Sequence, residues 1–135
     1  MPKAFGKTST EQLNAINPIL KTLAIKTLEK STVDFGVPST GGKRTAAEQK
    51  ILFDKGFSQK DGTIKKSYHQ SGNAVDLVPY IDGGLTWENK QAFHELHRAA
   101  TEAWAEMGIT EWTLTWGGDW KTFIDLPHYQ LDKKK

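Results

Sequence analysis

Apolar residues recur at helical spacing in four stretches of the chain and gather in short runs in four others. Ser9-Thr10-Glu11-Gln12 has the form of a capping box, with Ser9 as N-cap and Gln12 at N3, and Leu13 and Ile16 follow on one face. A short helix is predicted there. Asn17-Pro18 reads as a fresh N-cap followed by Pro at the first helical position, and Leu20, Leu23, Ala24 and Leu28 carry a second helix to about Lys30. Thr45 to Lys55 is helical in pattern and Gly56 ends it as a C-cap. The longest stripe is Phe93, Leu96, Ala100, Ala103, Trp104 and Met107, which predicts a helix from Glu88 to Met107 closed by Gly108.

The short runs read as strands: Val33 to Val37, Asn73 to Pro79, Glu111 to Trp116, and Pro127 to Leu131. Gly41-Gly42, Asp82-Gly83-Gly84 and Gly117-Gly118 supply the turns, and Phe57 to Lys66 is polar enough to be loop. The expected class is α+β, a small, mainly antiparallel sheet with helices packed on it.

At 135 residues the chain suits one domain spanning 1–135, with the Lys-rich end, 132–135, as a disordered tail. A hydrophobic share of 37% with 25% charged residues fits a globular protein. The formal charge of +2 owes much to Lys133-Lys134-Lys135, so the body lacks the basic excess of a nucleic-acid binder. Without cysteine there is neither a disulfide nor a thiolate metal cluster, and any metal must rest on His, Asp or Glu. No apolar stretch suits a signal peptide or a membrane span, so a soluble product made in the cytoplasm, with no stable membrane insertion, is expected.

Asp76 is set between Val75 and Leu77 in a run that should be buried, where a carboxylate needs a partner or a metal. His69 stands seven residues earlier, with Gly72 to let the chain turn between them. His128 opens a later strand, and Asp125 lies three residues before it. Two His and one Asp leave a fourth position open, the pattern of a catalytic zinc site located at the sheet. His94 and His97 form a rival pair on one helix face, but His94-Glu95-Leu96-His97 is one residue short of H-E-x-x-H; a surface His and a core-edge His are the expectation.

Ser67, His69, Gly72, Ala74 and Asp76 fill S-x-H-x-x-G-x-A-x-D, and Asp125 and His128 fill a later carboxylate-x-x-His. With Gly42-Lys43-Arg44-Thr45, Gln49 and Trp116-Gly117-Gly118-Asp119-Trp120, this resembles the LAS metallopeptidases, closest to phage endolysins of the L-alanyl-D-glutamate peptidase type. The resemblance spans nearly the whole chain. It implies a single peptidase domain in which His69, Asp76 and His128 bind Zn²⁺ and Asp125 is the general base, where many relatives carry Glu. Arg44 is assigned to a carboxylate of the peptidoglycan stem peptide, with Ser67 and Gln49 as helpers.

The implied activity is hydrolysis of the L-Ala–D-Glu bond during host lysis, by a monomer that acts on the wall after a holin opens the membrane. Two rivals stand beside it: a D-Ala-D-Ala carboxypeptidase or dipeptidase on the same site, and a non-catalytic zinc-containing wall-binding module. Trp116 and Trp120 are candidates either for packing or for stacking on carbohydrate.

Overall fold

A computed structural model describes residues 4–62, 67–122 and 124–134. The order is α1 (Lys7–Asn14), α2 (Pro18–Lys30), β1 (Phe35–Gly36), α3 (Ala46–Asp54), a 3-10 turn (Tyr68–Ser71), β2 (Ala74–Asp76), β3 (Val78–Ile81), β4 (Gly84–Leu85), α4 (Lys90–Met107), β5 (Trp112–Trp116), a second 3-10 turn (Gly117–Asp119) and β6 (His128–Lys133). The architecture is α+β. Part of the predicted Phe57–Lys66 loop, residues 63–66, lies outside the described residues.

Two small antiparallel sheets replace the single expected one, with strand orders β1-β3-β4 and β2-β6-β5. The expected strand Asn73 to Pro79 divides at Leu77, so β2 joins one sheet and β3 the other. The hydropathy pattern misses this break because Val75, Leu77 and Val78 are all fully buried on both sides of it. Asp82 and Gly83, both at positive φ, close the β3–β4 hairpin.

Helix α2 packs on α4, and their apolar stripes share a core with Phe35, Val75, Leu77, Tyr129 and Leu131. Asn17 caps α2 by accepting from the Ile19 N–H, as its sequence predicts. Helix α4 starts at the Asn89 cap and ends at Gly108 in the left-handed region. Among the described residues no helix is long and apolar enough to cross a membrane.

The expected capping box needs correction. Ser9 lies inside α1 rather than capping it: Gly6 is the N-cap, and the Ser9 hydroxyl accepts instead from the Val37 N–H at 2.9 Å. Gln12, the other half of the supposed box, accepts from the Gly42 N–H at 3.1 Å and so ties α1 to the segment ahead of α3. At the Lys-rich end β6 pairs with β5 through Trp112↔Lys133, and the Lys134 N–H bonds the Glu111 carbonyl. Lys135 lies outside the described residues.

Candidate active site

The register of β2 against β6 creates the site. Asp76 lies directly opposite His128, and Ala74 opposite Gln130. Side chains alternate along a strand, so Asp76, His128 and Gln130 share one face while Val75, Tyr129 and Leu131 enter the core from the other. His69 arrives from the 3-10 turn, which Ser67 and Gln70 cap reciprocally and Gly72 ends at φ 79°.

The metal-ligand atoms of His69, Asp76 and His128 all lie within 4.8 Å of one another, and all three residues are buried. His69 Nε2 is 3.2 Å from His128 Nδ1, and these nitrogens are 3.3 and 3.5 Å from Asp76 Oδ1. The outer nitrogens are already engaged: His69 Nδ1 with the Gly42 carbonyl at 2.8 Å, and His128 Nε2 with Gln130 Oε1 at 2.8 Å. In the neutral tautomers both outer nitrogens donate, so the two inner nitrogens present bare lone pairs. Asp76 Oδ2 accepts from Arg44 Nη2 at 3.0 Å, whereas Oδ1 is buried and meets no hydrogen-bond partner among the described residues.

Three lone-pair donors therefore converge with no donor hydrogen between them. Such an arrangement is costly unless a cation or a proton occupies it. Burial alone would raise the Asp76 pKa, but the flanking imidazoles outweigh it and hold the carboxyl far below the ordinary carboxylate range. Burial prevails at His69 and lowers its pKa; at His128, Asp76 outweighs burial and the pKa is raised. Two imidazoles and a carboxylate, each held from outside, are a donor set that could hold a metal ion.

The cluster forms the floor of a cleft of about 1140 Å³ whose lining includes Arg44, Ser67, Asp125 and Trp120. Asp125 is half-buried on the loop before β6, and this burial, with the nearby charge of Asp76, pushes its carboxyl up to about 6. The loop is fixed by backbone: the Asp125 N–H donates to the Gly117 carbonyl at 3.0 Å, and the His128 N–H to the Asp125 carbonyl at 3.2 Å.

A sequence model of the family described as phage L-alanyl-D-glutamate peptidase matches residues 1–133. The chain belongs to that family. It is 38% identical over 122 residues to the L-alanyl-D-glutamate peptidase of Escherichia phage T5, covering 90% of this chain and 84% of that protein. It is 29% identical over 126 residues to the peptidoglycan L-alanyl-D-glutamate endopeptidase CwlK of Bacillus subtilis, covering 86% and 73%. The crystal structure of the Serratia marcescens L-Ala D-Glu endopeptidase ChiX superposes with a TM-score of 0.79 at 33% identity, over 96% of this chain and 90% of that one.

Within this phage peptidase fold the residues singled out by sequence take distinct places. Arg44 lies at the site with its guanidinium largely committed: Nε donates to the Thr40 carbonyl, Nη1 to Gln49 Oε1 and Nη2 to Asp76. Gln49 is fully buried and its Oε1 accepts from Arg44. The Ser67 hydroxyl accepts from the His69 N–H and shapes the turn that presents His69. Trp120 borders the cleft and lies 5.1 Å from the His128 ring. Trp116 is packing: it is buried, bonds the Leu126 carbonyl through Nε1 and stacks on His97 at 3.7 Å. His94 is exposed and His97 half-buried beside that ring, and neither joins the metal-ligand group.

The sequence reading missed Gln130 and the Gly42 carbonyl, which fix the two imidazoles. Gln130 carried a signal, since it stands two residues from His128 on a strand and so shares its face. Gly117 matters through its missing side chain: a Cβ there would lie 2.3 Å from the Asp125 carbonyl oxygen. Gly117→Ala should push the Asp125 loop away while leaving β2 and β6 paired. A displacement of about 1 Å costs on the order of 10²-fold in rate, so kcat is expected to fall by at least about that factor, and because the same Cβ would lie 3.1 Å from the His128 Cβ, metal affinity should weaken with it. Steady-state kinetics and metal analysis of the variant check this.

Proposed function

We propose that this chain is a zinc-dependent endopeptidase that hydrolyses the L-alanyl–D-glutamyl bond of peptidoglycan stem peptides. The observation that carries the reading is the buried His69, Asp76 and His128 cluster, with its orphaned Asp76 oxygen, on the floor of a cleft that Asp125 also lines. The names of the T5, Bacillus and Serratia relatives support the choice of bond.

A zinc ion held there would supply Lewis acidity, polarising the scissile carbonyl and making water a nucleophile near neutral pH. The rest is the work of the chain. His69 Nε2, His128 Nδ1 and Asp76 Oδ1 are the ligand atoms left free by the surrounding hydrogen bonds. Asp125, ionised, accepts a proton as a water oxygen adds to the alanyl carbonyl carbon, then returns it to the glutamyl nitrogen as the C–N bond breaks. The products are an alanine carboxylate and a glutamate ammonium, the second water proton passing from the new carboxyl group to the amine. Arg44 has five N–H groups and three are engaged at Thr40, Gln49 and Asp76; the remaining two serve a carboxylate of the stem peptide. Ser67, on the cleft lining, accepts from His69 and keeps its own O–H for the substrate.

In this reading the enzyme works as a monomer during host lysis, reaching the wall once a holin has opened the membrane. Mass spectrometry of fragments released from purified peptidoglycan tests the activity. New L-Ala carboxyl and D-Glu amino ends that require zinc are expected. Release of D-Ala would instead establish a carboxypeptidase, and no zinc-dependent product would leave a wall-binding module.

A further inference from the structure

Helix α3 is held to the protein by a polar side chain. A surface helix normally buries an apolar stripe, yet Ile51 and Phe53 of α3 are 53% and 42% exposed, while Gln49 is fully buried. All of the hydrogen-bonding capacity of the Gln49 amide nitrogen is used: Nε2 donates to Ser58 Oγ at 2.7 Å and to the Lys60 carbonyl at 2.8 Å. Its Oε1 accepts from Arg44 Nη1 at 3.0 Å.

These contacts connect two parts of the site. Ser58 and Lys60 belong to the cleft wall that follows α3. Arg44, gripped by Gln49 on one side and by the Thr40 carbonyl on another, directs Nη2 at Asp76 Oδ2. With Oδ2 occupied, Asp76 offers Oδ1 alone to the cluster. The wall is also stitched to the turn carrying His69, since the Gly62 carbonyl accepts from Gln70 Nε2 at 2.9 Å. Gly62 sits at φ 94°, and a Cβ on it would approach the Gln49 side chain to 3.2 Å. An apolar side chain at position 49 would leave the Lys60 carbonyl and one guanidinium N–H without these partners.

We propose that Gln49 is a positioning residue with two arms, one setting the Arg44–Asp76 pair and hence metal retention, the other holding the Ser58–Lys60 wall and hence substrate binding. The inference rests on the proposed metal site but not on which bond is cleaved. Outer partners of metal ligands typically change affinity by about 10–100-fold when removed; Arg44 is such a partner and Gln49 acts through it, so that range is the ceiling for the first arm. Segments with little apolar burial open at low free-energy cost, so loss of the second arm loosens the wall.

Gln49→Met removes both arms at similar volume, whereas Gln49→Glu keeps an acceptor for Arg44 and loses the donors to the wall. Zinc affinity is read by competition with a chromophoric chelator, and KM and kcat are read on disaccharide-peptide fragments at saturating zinc. The Met variant should lose zinc affinity by up to about 100-fold and show a raised KM. The Glu variant should bind zinc as the unsubstituted protein does, yet share the raised KM, with kcat much less affected in both. A folded Met variant with unchanged zinc affinity would overturn the proposal, as would a Glu variant that loses zinc as severely as Met. If the Met variant does not fold, the Glu variant decides alone: raised KM with intact zinc binding supports the two arms, and any other pairing overturns them. Zinc affinities that shift as expected in a protein that cleaves no peptidoglycan would sink the proposed activity and leave the positioning role standing.

Discussion

Asp125→Asn is expected to lower kcat on peptidoglycan by about 10²–10⁴-fold, the usual contribution of a positioned general base, while the protein keeps its metal. Asn has nearly the shape of Asp, so the loop that hangs from the Gly117 carbonyl should stay in place. What is lost is the ability to take and return a proton. Asp125 is absent from the group of converging ligand atoms, which is why metal content should not follow the rate. The pH profile supplies a second readout. Burial and then the charge of Asp76 raise Asp125 to about 6, so in the metal-free protein it is protonated below that value and ionised above it. A cation on the three ligands favours the ionised form and moves the midpoint down. The rate should therefore rise with pH along an acid limb centred no higher than about 6, and this limb should vanish from the residual activity of the Asn variant. An Asn variant with normal kcat, or one that loses its metal, would remove Asp125 from the role of base.

The three candidate metal-binding residues were legible in the sequence because each broke a local rule. Asp76 interrupts an apolar run, His69 precedes it across a glycine turn, and His128 begins a strand. The pairing of Asp76 with His128 is a long-range register, but both strands expose the wrong residue type on one face, and bringing those faces together resolves both anomalies. The supporting shell was not legible in the same way. Arg44 reaches Asp76 across 32 positions and Gln49 reaches Ser58 and Lys60 from a helix, so nothing in the local pattern distinguishes them from solvated surface. Ser9 and Gln12 show the opposite error: a good local capping pattern was overridden because tertiary partners, the Val37 and Gly42 amides, offered part-buried hydrogen bonds elsewhere. The break at Leu77 was hidden for a related reason, since a chain buried on both sides of a bend carries no periodic signal where it changes sheet.

His128→Ala should abolish specific zinc binding and with it all zinc-dependent turnover. The variant leaves two donors, His69 and Asp76, where the site offers three, and it also strands the Gln130 amide that had oriented the ring. The loss should exceed the roughly 10–100-fold expected for an outer partner such as Arg44. Stability gives an assay free of activity. A ligand that binds the folded state alone adds about 4 kcal/mol at a thousand-fold excess over its Kd, so zinc should raise the Tm of the unsubstituted protein and a chelator should reverse it. Neither should move the Tm of the Ala variant. The pH dependence has a definite sign as well. In the metal-free site Asp76 outweighs burial and holds the His128 pKa above its ordinary value, so a proton competes with the metal for Nδ1. Zinc affinity should therefore fall as pH drops, with protons released on binding when the metal is added below neutral pH. Calorimetric titration in buffers of different ionisation enthalpy would count those protons. A zinc-induced rise in Tm that survives the Ala substitution would place the ion elsewhere and take His128 out of the ligand set.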